Sequence, residues 1–265
     1  MTLLAPSPAW RARLAARATA PPLRPRVPLL CGARRIGTLE PDLFVRAGLD
    51  GGALVQRTRD GWRLGDADPT ETLAAIAYAL RDTGLAHTWR DEQLAVCGDD
   101  GVCVGTVERA AARALGIATD AVHLTALAAD GTVWVQQRAL DKPTDPGLWD
   151  TLVGGLVPAG ESLAQALERE TWEEAGLRPT QLRDLRAGAK SHTARPLPEL
   201  AHGYVVETLH WSVCTLPDGV QPENQDGEVA AFRRMTLAAL QSHLERNDFT
   251  IDASLVLLAA HGEAS

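Results

Sequence analysis

Before Glu40 the chain has no acidic residue, while arginine recurs through WRARLAARATAPPLRPR. That composition is transit-peptide-like. However, Trp10, Leu14 and Ala15 fall on one side of a short helix, so the expectation is a structural docking helix in a cytoplasmic protein. No apolar run reaches the length of about 18 residues that a membrane-spanning helix needs, and no repeat of fixed period occurs. The four cysteines, Cys31, Cys97, Cys103 and Cys214, include no CxxC pair. A zinc site or redox motif is therefore not indicated, and buried free thiols are expected. Basic charge is also short: the net charge is −8 and the pI near 5.4. This argues against a nucleic-acid backbone or an anionic membrane as partner. An anionic small molecule could bind only where local basic residues or a metal offset the general field.

What is present is concentrated between Gly154 and Leu177, GGLVPAGESLAQALERETWEEAGL. Paired glycines and a Pro-Ala-Gly turn precede a run from Glu161 and Ser162 that meets no Gly or Pro before Gly176, which predicts a helix with a glycine stop. With Glu170 placed at zero, Leu163, Ala166, Leu167, Glu173 and Glu174 share its stripe, roughly 120° wide at helical spacing. A surface helix ordinarily puts its glutamates opposite its apolar face; here both lie on one side. Three neighbouring carboxylates oppose joint ionisation, and a hard divalent cation such as Mg²⁺ resolves the conflict while leaving sites for phosphate oxygens. Arg169, four residues before Glu173, can pair with it.

The order Gly155, Glu161, Arg169, Glu170, Glu173, Glu174, Gly176, Leu177 resembles the signature of the Nudix hydrolases, a family that cleaves diphosphates linked to another group. Thr171 alone departs, standing at a packing position where the family usually has an aliphatic residue. The runs WRDEQLAV, VERAAARALGI, AVHLTAL, QQRALDKPTDPGLWDTLVGG and PENQDGEV widen the likeness to a subgroup described as thiamine-pyrophosphokinase-related, from about Val27 to His261. That resemblance implies an α/β/α sandwich around a mixed sheet, with Mg²⁺ or Mn²⁺ held by Glu170, Glu173, Glu174 and the Gly155 carbonyl. Arg169 would hold Glu173, and Glu161 would support the loop. It also implies a water-activating base from a later loop, with Asp226 and Glu228 the candidates and Glu223 third. The implied substrate is thiamine diphosphate or its oxidised analogues; the alternatives are an ADP-ribose- or NADH-type diphosphate, or a ligand sensor without catalysis. For the family's isomerase branch the chain lacks a suitably placed reactive cysteine.

Read for organisation, residues 27–65 give short strands with a hairpin at Asp60-Gly61, Asp68 to Gly84 a helix with Thr70 as its cap, LAVCGDDGVCVGTV a second hairpin, and Val107 to Leu115 a helix. Residues 1–115 are thus expected to form an α+β domain. From 116 to 265, strands flank the motif helix, YVVETLHWSV is the clearest strand, and helices at Thr236–Glu245 and Ala253–His261 close an α/β domain. Phosphate contacts are expected from Arg138 and Lys142, just before the motif, with Lys190, His192 and Arg195 across the cleft. Trp134 and Trp149 could stack on an aromatic ring.

Overall fold

In the computed structural model, which describes residues 4–262, polar residues ahead of the periodic runs start the helices by taking free backbone N–H groups. Ser7 caps α1 (Pro8–Ala18). The next segment builds β1 (Val27–Cys31), β2 (Arg34–Leu39), α2 (Leu43–Arg46), β3 (Val55–Arg57), β4 (Trp62–Leu64), α3 (Pro69–Asp82), β5 (Gln93–Cys97), β6 (Cys103–Glu108) and α4 (Arg109–Ala112). After it come β7 (Ala118–Ala128), β8 (Val133–Arg138), β9 (Trp149–Asp150), β10 (Val153–Leu156), α5 (Leu163–Ala175), β11 (Arg183–Pro196), β12 (Tyr204–Leu216), β13 (Val229–Met235), α6 (Leu237–Glu245) and α7 (Ile251–His261).

The larger sheet runs β11-β12-β7-β8-β13. Its centre, β7, pairs in parallel with β12 along one edge. Along the other it changes partner: Ala121 to Leu124 pair with β10, and Ala126 and Leu127 with β8. Strand alternation sends Leu124 and Ala126 to a core under α5, while Val133 and Val135 point into the core beneath α1, α6 and α7. The result is a sheet covered by helices on both faces. The smaller sheet, β2-β1-β4-β3, packs with α2 and α3 over a third core. That core does not stop at the end of the smaller sheet; Ala121, Leu156, Leu197, Leu200, Val205 and Leu209 belong to it too.

Several local expectations are corrected. The cap of α3 is Asp68, which accepts from the Thr70 and Glu71 N–H groups, because Pro69 takes the first helical position. Only Arg109–Ala112 of the segment 107–115 is helical; Val107 and Glu108 finish β6. Thr250 starts α7 two residues earlier than expected. In α1, Trp10, Leu14 and Ala18 are buried and Ala15 is exposed; Met1 to Leu3 lie outside the described residues. The stretch AGAKSHTARP is part of the long strand β11, which hid because most of it is exposed on both faces and shows no alternation. Cys97 and Cys103 are joined in a disulfide across the β5–β6 hairpin, since its register sets them opposite each other. Cys31 and Cys214 remain thiols, and Cys214 is buried.

Candidate active site

A capping box starts α5. The Ser162 hydroxyl accepts from the Gln165 N–H, and the Gln165 side chain accepts from the Ser162 N–H. Gly176, at φ 63°, ends it. The buried face is Ala166, Glu170, Thr171, Glu174 and Ala175, with the Thr171 hydroxyl donating to the Leu167 carbonyl. Leu163, expected on this face, is 41% exposed at the first position of the helix.

Glu170 and Glu174 therefore enter the protein as carboxylates. Glu174 accepts from Gln136 Nε2 and from the Gly154 N–H, both at 2.8 Å. Glu170 lies so close to Gly155 that a Cβ there would collide with its carboxylate. Arg169 gathers the outer groups: it donates to Glu170 Oε1 at 2.8 Å, Glu173 Oε2 at 2.9 Å and both oxygens of Glu161 at 3.1 and 3.2 Å. Burial, only partly offset by Arg169, pushes the Glu170 carboxyl up to about 7. Burial and the neighbouring Glu170 push Glu174 up to about 8. Among the described residues, no three acidic, His or Cys side chains already converge on one point. The donors nonetheless fit a hard divalent cation: all are oxygens, and the raised carboxyl groups mark an anionic conflict that such a cation removes. Glu170 Oε2 and Glu174 Oε1 take no hydrogen bond among the described residues, and Lys142 Nζ is 3.9 Å from Glu174 Oε1.

Opposite these stands the loop before β13. Glu228 is bound by Lys142, and its Oε1 is 3.5 Å from Arg90 Nη1. Burial alone would raise its carboxyl; the Lys142 hydrogen bond and the charges of Lys142, Arg90 and Arg109 hold it below the usual range. Asp226 is exposed and organises its own turn, accepting from Asn224 Nδ2 at 2.7 Å and the Glu228 N–H at 2.8 Å. Glu223 is exposed as well.

Beside them, on the far side of Gly154, Gly155 and Lys142, opens a cleft of about 160 Å³, whose described lining holds none of Glu170, Glu173, Glu174, Asp226 and Glu228. Lys142, Arg138, Gly154, Gly155 and Leu156 line it from the larger sheet, and His87, Arg90, Arg109 and Arg113 from the segment before β7. That second wall is braced by Glu108, buried at 2% exposure, whose Oε1 accepts from the Arg90 and Ala110 N–H groups. Its cations differ in freedom. Arg113 is engaged by Glu207, and Arg109 pairs with Glu92 at 2.7 Å. Arg138 is held by the Thr144 carbonyl at 2.9 Å and Asp150 at 3.4 Å. Lys190 lies on exposed β11 opposite His210, outside the cleft lining, and His192 is exposed beside Thr208. Arg195 is buried in the lining. Trp149 and Trp134 are packed into the two sheet cores under Arg233 and Arg234. Among the described residues, no Trp, Tyr or Phe lines the cleft.

A NUDIX domain profile matches residues 118–256, more than half of the chain. The chain belongs to the Nudix family. It is 32% identical to Nudix hydrolase 20, chloroplastic, of Arabidopsis thaliana, covering 72% of this chain and 52% of the relative. Identity is also 32% with Nudix hydrolase 24, chloroplastic, of the same plant, over 72% and 53%. The chain thus spans about half the length of these relatives. A crystal structure of DR0079 from Deinococcus radiodurans shares the fold, with a TM-score of 0.50 at 22% identity, over 64% of this chain and 99% of that one.

The Nudix helix was visible in sequence because its carboxylates are locked to one helical period. His87, Arg90, Arg109, Arg113, His123, Asp150, Glu207 and Asp252 were not, since they reach the cleft from the α3–β5 loop, α4, β7, β9, β12 and α7. Glu108 was missed as well: it fell in the expected helix from Val107, whereas the structure makes it the last residue of β6.

Proposed function

We propose that this Nudix protein is a metal-dependent hydrolase of a small-molecule diphosphate, with thiamine diphosphate or its oxidised analogues as substrate. The observation that carries the reading is the pair of buried carboxylates, Glu170 and Glu174, set beneath Gly154 and Gly155 and both shifted upward. Glu170, Glu173, Glu174 and the Gly155 carbonyl would hold Mg²⁺ or Mn²⁺. When bound, the ion polarises the phosphoryl oxygens and offsets their charge. Lys142 and Arg109 neutralise the outer phosphate from opposite walls, and Arg90 adds to their field. Glu228, whose carboxyl Lys142 and Arg90 hold below the usual range, would take a proton from the attacking water through Oε1. Asp226, tied into its turn, orders that loop. The release of a monophosphate and inorganic phosphate follows from attack at the outer phosphorus.

Of the four carboxylates in the lining, Asp150, Glu207 and Asp252 are paired with Arg138, Arg113 and Arg195, which leaves Asp145, without a side-chain partner among the described residues, as the contact for an organic group with cationic character. A dinucleotide such as ADP-ribose or NADH is the second reading; among the described lining residues no Trp, Tyr or Phe offers its base a large stacking surface. A metal-independent sensor has no use for the buried carboxylate pair. The isomerase branch would need a reactive thiol, but neither Cys31 nor Cys214 lines the cleft, and burial pushes Cys214 up to about 12.

The residues up to 115 are proposed as one domain and those from 116 as the Nudix domain. No helix among the described residues is long and apolar enough to cross a membrane. Burial of Trp10 and Leu14 against the α7 side supports retaining α1 in a cytoplasmic protein. Mass spectrometry of the N-terminus in the source cell would show its removal if that is wrong. The activity is tested by phosphate release with Mg²⁺ or Mn²⁺ from thiamine diphosphate, oxidised thiamine diphosphates, ADP-ribose and NADH, with a coupled phosphatase. Release from the thiamine compounds is expected. Release only from nucleotides rejects the substrate, and no release despite tight binding rejects hydrolysis.

A further inference from the structure

At the inner end of the cleft an ion pair is half made. Arg195, 6% exposed at the end of β11, meets Asp252 in the first turn of α7 through Nη2 and Oδ2 at 3.3 Å. A guanidinium and a carboxylate commonly close two parallel bonds. Here Arg195 Nε and Asp252 Oδ1 are both buried, and neither has a partner among the described residues. A buried donor and a buried acceptor left unmade are costly. Two of the nearby carboxylates are already engaged, Glu207 by Arg113 and by the Thr119 hydroxyl at 2.7 Å, and Asp150 by the Thr151 N–H at 2.8 Å and by Arg138; Asp145 lines the same cleft without a hydrogen bond to Arg195. Both Arg195 and Asp252 line the cleft, beside the apolar side chains of Leu197 and Val205.

We propose that Arg195 and Asp252 read an amidine-type edge on the organic part of the substrate: an amine next to an unprotonated ring nitrogen. The Arg195 Nε–H donates to the ring nitrogen, and the amine donates to Asp252 Oδ1. Leu197 and Val205 offer apolar surface to the ring. An oxo-substituted ring presents the opposite pattern. Its carbonyl faces the carboxylate and its ring N–H faces the guanidinium, so both bonds turn into conflicts. The edge occurs in an aminopyrimidine and in adenine alike. The inference rests on the hydrolase reading only for where the diphosphate lies.

Monophosphates lack the bond to be cleaved, so their binding is readable whether or not turnover occurs. Calorimetric titration of the full chain with thiamine monophosphate and oxythiamine monophosphate, and with AMP and IMP, tests the edge and separates its two sources. The amino compound of one pair should bind about a hundredfold more tightly than its oxo partner, because a site built for hydrogen bonds rejects a reversed pattern. Asp252→Asn, which can donate to a carbonyl, should erase most of that preference. The analogue comparison on the unaltered chain needs no variant to fold. Equal affinity for amino and oxo compounds, or no binding of any of the four, overturns the proposal. Hydrolysis without the amino preference would refute this inference alone; the preference without hydrolysis would refute the hydrolase reading alone.

Discussion

The two walls of the cleft are built on opposite plans. One is strand β10, Gly154 to Leu156, backed by the single helix α5, whose Glu170 and Glu174 are held by Gly154, Gly155, Gln136 and Arg169. The other is assembled from scattered positions, His87, Arg90, Arg109 and Arg113, and is fixed through the buried Glu108. The proposed metal ligands would need fixed mutual spacing, which one rigid element supplies. Cations that neutralise a phosphate need only arrive at the right place, and any element can deliver one. Chemistry should therefore be lost through the first wall and affinity through the second.

The sharpest break is Glu170→Gln or Glu174→Gln. Either should lower kcat by roughly a thousandfold, the scale for removing one preorganised charge-stabilising group. The melting temperature should hold, because a neutral amide suits these buried positions. A variant with full metal-dependent turnover would remove the carboxylates from the chemistry. Gly155→Ala probes the same wall sterically: its Cβ meets the Glu170 carboxylate and the misfit should cost about 1–3 kcal/mol in denaturant unfolding. Unchanged stability and activity would mean that Glu170 need not sit against the backbone.

Arg109→Ala tests the other plan. It should raise KM about tenfold with a smaller effect on kcat, the scale of one charge-assisted hydrogen bond. A loss confined to kcat would move Arg109 to the chemical side. Glu228 joins the walls, and its depressed carboxyl sets a pH signature. Its stabilisation is fully present above the ordinary glutamate value of 4.5 and drains as pH falls through the lower folded value. Glu228→Gln should flatten that part of the acid limb in pH-dependent unfolding and reduce kcat, whereas Asp226→Asn should leave both closer to the parent. Equal effects would fail to separate the two residues. Reducing the Cys97–Cys103 link should change least in function. It removes a short closed loop worth about 2 kcal/mol, and kcat should be unaffected; a fall in kcat would tie the hairpin to the site.

The same contrast explains what could be read before the fold was known. The motif helix, the hairpins at Asp60-Gly61 and Asp99-Asp100-Gly101, and the strands around Asp130-Gly131 all write their geometry into adjacent residues. The β11 strand did not, because Ser191 to Arg195 face two environments and the residues before them are exposed. Cysteine spacing likewise gave no hint that a hairpin register would set Cys97 against Cys103. The cleft end at Arg195 and Asp252 depends on β11 and α7 meeting, and Lys190, five positions from Arg195, misses the cleft by lying farther back along the same strand.

The partner change along β7 has a consequence for how the molecule is born. Its partners β8, β10 and β12 all leave the ribosome after it, and the parallel one, β12, leaves last. Until then one flank of a mostly buried strand has nothing to pair with. Late, long-range parallel closure is slow and leaves a nascent chain open to misassociation. The step that completes the pairing of β7 is also the one that brings Glu207 to Arg113 at the cleft. The window of greatest aggregation risk should close only when the substrate pocket does.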